Sequence, residues 1–111
     1  MKIFITVKND NNISKNIVAI RKFTGQSMSE IRENIVNGAP IFSGEVFEDE
    51  EKMKLVEDLV IKLDSIGAKL SILKDENNEI EEISLKHLIN RIQRFREISK
   101  ENQELDDLMY D

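Results

Sequence analysis

The run Thr24-Gly25-Gln26-Ser27-Met28-Ser29-Glu30 ends one helix and starts another almost at once. Gly25 can take the left-handed conformation that stops a helix. Ser27 and Glu30 then form a capping box, each offering its side chain to the other's free backbone amide. Two short helices joined this tightly must pack at a fixed angle, so they read as a rigid pair. On the N-terminal side, Ser14 offers a capping oxygen to a helix containing Ile17, Val18, Ile20 and Arg21. On the other side, Met28, Ile31 and Ile35 recur at helical spacing until Gly38 closes the helix and Pro40 prevents its resumption.

Strands flank the pair. Ile3, Ile5 and Val7 alternate with Phe4 and Thr6, which predicts a strand with one buried face, followed by the turn-rich stretch Asn9 to Asn12. Ile41 to Phe47 predicts a second strand in which Gly44 marks a bulge or bend. Met53, Val56, Val60 and Leu63 trace a helical stripe from Asp49 to Ser65, with acids crowding its first turn and Gly67 ending it. Ala68 to Leu73 alternates as a third strand before the polar turn Asp75-Glu76-Asn77-Asn78. From Glu79 onward, Ile83, Leu85, Leu88, Ile89, Ile92, Phe95 and Ile98 keep a three-to-four spacing and predict one last helix. The expected architecture is therefore α+β: a three-stranded antiparallel sheet covered by helices in βααβαβ order, with an added C-terminal helix. Residues 1–78 form the domain and 79–100 that helix. It is expected to pack on its own domain across the open sheet face, or to pair two chains as a homodimer through the a and d positions Leu85, Leu88, Ile92 and Phe95. An acidic tail, 101–111, follows.

At 111 residues the chain is one domain's length, with enough apolar surface to form a core unaided. It has no cysteine, which removes disulfides, thiolate nucleophiles and cysteine-bound zinc and fits a cytoplasmic, reducing location. No run approaches the roughly 20 apolar residues of a membrane span, so no membrane association is expected. A net charge of -6 argues against nucleic acid as the partner, because phosphate affinity comes from Lys and Arg.

The charge is uneven. Glu45 to Asp58 holds seven acids against Lys52 and Lys54, whereas Ile83 to Lys100 holds five bases against Glu97 alone. If the last helix packs internally, Arg91, Arg94 and Arg96 form an outer basic stripe facing the acids at Glu48 to Glu51.

No catalytic constellation stands out. His87 is the sole histidine and lacks a second nitrogen or sulfur ligand. The acidic turn at Asp75 has Ile80 where a calcium loop needs glycine. Gly25, Gly38, Gly44 and Gly67 are too scattered to cradle a phosphate. The chain is not expected to be an enzyme, and no cofactor or metal is expected.

The order strand, helix, Thr-Gly, helix, Ala-Pro, loop, helix, Gly-Ala, strand resembles the C-terminal domain of the bacterial ribosomal stalk protein, a fold shared with the substrate adaptor of the Clp protease. That family's joint reads lysine, two residues, arginine, two residues, Thr-Gly-Leu, one residue, leucine, one residue, Glu-Ala-Lys. Arg21, Thr24, Gly25 and Glu30 match it, Met28 and Arg32 are replacements in kind, and Val18 stands where the family has lysine. Gly38-Ala39-Pro40 and Ile66-Gly67-Ala68-Lys69-Leu70 match later motifs, so the resemblance covers about residues 2–73. It implies a docking face for another protein centred on Val18, Arg21, Gly25, Met28 and Arg32.

Two functional expectations follow. The first is a non-catalytic protein-binding module in the form of a small acidic inhibitor, of the immunity or antitoxin type, whose Glu48, Asp49, Glu50 and Glu51 engage a basic partner protein. The alternative is a ribosome- or translation-factor-associated protein that uses the stalk-like helix pair.

Overall fold

The computed structural model describes the backbone of residues 1–109 and the side chains of residues 1–97. Its elements are β1 (Lys2–Val7), α1 (Ile13–Thr24), α2 (Met28–Val36), β2 (Phe42–Glu45), α3 (Glu50–Ser65), β3 (Leu70–Glu76), β4 (Glu79–Ile83) and α4 (Leu85–Met109). The class is α+β, with one antiparallel sheet in the order β2-β1-β3-β4.

Alternation along the strands decides which face is buried. Ile3, Ile5 and Val7 on β1 and Ile72 on β3 point to the core. Phe4, paired with Leu73, lies on the opposite face and stays partly exposed. Over the core face, α1 contributes Ile17 and Ile20, α2 Ile31 and Ile35, α3 Val56, Leu59, Val60 and Leu63, and α4 Leu88 and Ile92; all belong to one buried cluster.

Three glycines end helices by different local means. Gly25, at φ 71°, donates its amide to the Arg21 carbonyl at 2.9 Å, a single bond that stops α1. At Gly38 and Gly67 the next residue reaches further back, Ala39 to Asn34 at 2.8 Å and Ala68 to Leu63 at 2.9 Å. A Cβ added at Gly25 meets nothing within 4 Å, so replacement there costs backbone strain alone. Gly25→Ala is expected to lower the unfolding free energy by about 1 kcal/mol, measured by urea denaturation. An unchanged midpoint would mean that the joint tolerates a right-handed residue.

The expected three strands are four. Asn77 and Asn78 both adopt positive φ, 54° and 65°, and Glu76 pairs with Glu79, so the polar turn is a two-residue hairpin loop. Such loops need left-handed residues at both positions, and asparagine tolerates that conformation better than most side chains. Residues 79–83 are therefore the edge strand β4 rather than the start of the last helix, and the 78/79 boundary falls inside the hairpin. Helix α4 begins after Ser84, whose hydroxyl accepts the His87 amide at 3.1 Å.

Smaller expectations also change. Ser14 is not the cap of α1: Asn12 holds that position, and the Asp10 carboxylate accepts the Asn12 amide at 2.9 Å. Gly44 pairs one-to-one with Ile3, so β2 carries no bulge. Helix α4 packs within its own chain, but beside α3 among the helices rather than across the open sheet face.

Candidate functional site

Helix α1 presents two surfaces. Its inner side carries Ile17, Ala19 and Ile20, while its outer side carries Lys15, Val18, Arg21 and Lys22 and no carboxylate at all. Val18 is 59% exposed in the middle of that outer side. Helix α2 starts from Ser27, whose hydroxyl accepts the Glu30 amide at 3.2 Å, and this cap places Met28 and Arg32 alongside α1.

The two helices enclose a shallow groove of about 260 Å³ lined by Val18, Met28 and Arg32 with Ser14, Ile17 and Ser29. Met28 is 45% exposed. The structure thus brings Val18, Met28 and Arg32 together. Arg21 and Gly25 do not line the groove; they are exposed at the helix joint beside it.

A second groove, about 530 Å³, lies on the other flank of α1 against the C-terminal end of α3. Lys15, Val18, Ala19 and Lys22 line it from α1, and Lys62 and Ile66 from α3. Sequence reasoning missed this groove. Lys15, Val18 and Lys22 recur at i, i+3 and i+7, a spacing that marks one helix face. Nothing in the local sequence indicates that Lys62 and Ile66 join them.

Among the described residues the cations of this region form no ion pair. Among the described side chains the ion pairs are Lys74 with Glu76 and Glu81, Arg96 with Glu57, and the Met1 ammonium with Glu45. Lys15, Arg21, Lys22, Arg32 and Lys62 take part in none. The Met1 ammonium donates to Glu45 at 2.9 Å, and that hydrogen bond raises its pKa above the usual 8.0. It lies at the β1–β2 edge of the sheet, not on the helix face.

Glu48, Asp49, Glu50 and Glu51 are exposed at the opposite end of α3. Asp49 is the N-cap and accepts the Glu51 amide at 2.8 Å, while Glu50 and Glu51 occupy the first turn, where the helix dipole favours negative charge. Local helix chemistry therefore accounts for three of these acids. Helix α3 separates them from Lys62 and Ile66 by about 16 Å or more along its axis. Among the described residues, the bases of α4 form no ion pair with this cluster: Arg96 donates to Glu57 at 3.0 Å, and the Arg91 guanidinium lies 5.8 Å from the Phe47 ring centre.

His87 is exposed near Arg91 and Arg94, and no group of three or more His, Asp or Glu side chains among the described residues is placed to hold a metal ion. No helix among the described residues is long and apolar enough to cross a membrane. No protein-family model, curated protein or solved structure matches the chain.

Proposed function

We propose that the chain is a non-catalytic protein-binding module that offers its α1–α2 helix pair to a partner protein. One observation carries this reading: two exposed apolar side chains, Val18 and Met28, converge with Arg32 on a groove set among cations that form no ion pair within the described residues. Exposed apolar groups ringed by charge are the usual make-up of a docking surface. The resemblance to the ribosomal stalk C-terminal domain supports the same face, because it implies docking through these positions. In that form the partner is a translation or ribosome-associated factor.

A second reading, the acidic inhibitor of immunity or antitoxin type, is favoured by a different observation. Glu48 to Glu51 are four consecutive exposed carboxylates held on a capped helix end, suited to steering a basic partner.

Affinity capture with two charge-reversed chains separates the readings. Arg21→Glu with Arg32→Glu is expected to reduce partner recovery by about tenfold or more, while Glu48→Lys with Glu50→Lys leaves it unchanged. The reverse pattern supports the inhibitor reading. If neither variant alters recovery, while circular dichroism shows both folded, neither surface is the docking site.

A further inference from the structure

We propose that the groove between α1 and the end of α3 is a seat for an acidic amphipathic helix of a partner protein. The inference rests on the protein-binding reading and adds the chemistry of the ligand and a second, adjacent surface.

The floor of the groove is Ala19, buried and small, with Val18 and Ile66 as apolar walls. A small floor residue lets a third helix approach to ordinary interhelical distance, about 8–10 Å. Lys15 and Lys22 stand two turns apart on α1, about 10 Å along its axis, which matches acidic residues at i and i+7 on a helical ligand. An extended strand has no such match, because no sheet edge borders the groove.

Charge fixes the sign of the ligand. Lys15, Lys22 and Lys62 rim the groove, and none forms an ion pair among the described residues, although Asp58 and Asp64 lie nearby on α3. In a chain of net charge -6 this is a local excess of positive charge around an apolar floor. A ligand helix with leucines on one side and glutamates flanking them satisfies both features. Nucleic acid satisfies only one, since the groove has no aromatic side chain on which a base can stack.

The probe is a labelled helical peptide of about 15 residues, with leucines at i, i+4 and i+7 flanked by glutamates, titrated into the full chain by fluorescence anisotropy. A counterpart with lysines replacing the glutamates is the control. The glutamate peptide is expected to bind about tenfold or more tightly than the control, and to weaken as salt rises. Lys22→Glu with Lys62→Glu is expected to invert that preference, so that the lysine peptide binds better; a merely misfolded variant binds neither. Equal binding of the two peptides, or no effect of the Lys22/Lys62 exchange, overturns the proposal. Tighter binding of a single-stranded DNA oligonucleotide at the same groove also overturns it. So does displacement of the probe by a peptide spanning 101–111 of this chain, because the seat would then serve the chain itself. The Arg21→Glu, Arg32→Glu variant separates this inference from the reading beneath it: peptide binding lost there and kept in the Lys22/Lys62 variant rejects the α1–α3 groove and leaves the α1–α2 face standing.

Discussion

Truncating Ile92 to alanine is expected to lower the unfolding free energy by about 2–5 kcal/mol, the range for removing a large buried aliphatic side chain. Ile92 and Leu88 are both wholly excluded from solvent and share a core with Ile3 and Ile5. Around this anchor, Phe95 stacks on Phe47 with ring centroids 4.8 Å apart, and Arg96 reaches Glu57. Helix α4 is therefore part of the domain's core and not an appendage to it. Chemical denaturation of Ile92→Ala beside Gln93→Ala, an exposed neighbour, tests this directly. If both variants unfold at the parent midpoint, α4 does not contribute to the cooperative unit.

The next largest effect is expected at Asn16. This residue is wholly buried on the inner side of α1, and neither its amide nitrogen nor its carbonyl oxygen has a hydrogen-bond partner among the described residues. Leucine has the same branched outline without the polar atoms, so Asn16→Leu is expected to stabilise the fold by about 1–3 kcal/mol, the cost of an unsatisfied buried polar group. Asn16→Asp should act in the opposite direction. A buried carboxylate without a partner has its pKa raised above the unfolded value of about 3.9, so the folded variant binds the proton more tightly. Its stability then falls as pH climbs past that value and recovers below it. Thermal melts of both variants at acid and neutral pH check the pair of outcomes. An Asn16→Leu variant less stable than the parent would show that the amide is satisfied.

The helix joint was legible because its signals are local. Gly25 takes the left-handed conformation, and the Ser27 hydroxyl accepts the Glu30 amide, one half of the expected capping box; among the described residues the Glu30 carboxylate does not return the bond to the Ser27 amide. Gly38 and Gly67 were equally readable. Strand β4 was not, for a reason that lies in its spacing. Ile80 and Ile83 are three residues apart, which on a helix puts them on one face and on a strand puts them on opposite faces. In the structure Ile83 lies opposite Ile72, on the core side, whereas Ile80 is 66% exposed. Only the pairing with β3 decides between the two periods, and that pairing depends on the backbone of Asn77 and Asn78. The residues of the two proposed docking surfaces divide in the same way. Val18, Met28 and Arg32 sit on adjoining helices across a short joint, whereas Lys62 and Ile66 join Lys22 only through the packing of α3 on α1.

The central position of β1 has a consequence for how the chain acquires its shape during synthesis. Ile5 on β1 sits opposite Phe42 and Ile72, so the first strand of this domain to be synthesised waits for the bulk of the domain before its second edge closes. Until then a nascent chain carries β1 with an open hydrogen-bonding edge and four apolar residues, the state most exposed to wrong pairing. Slowing elongation ahead of β3 should therefore lower the yield of folded protein more than slowing it after β4.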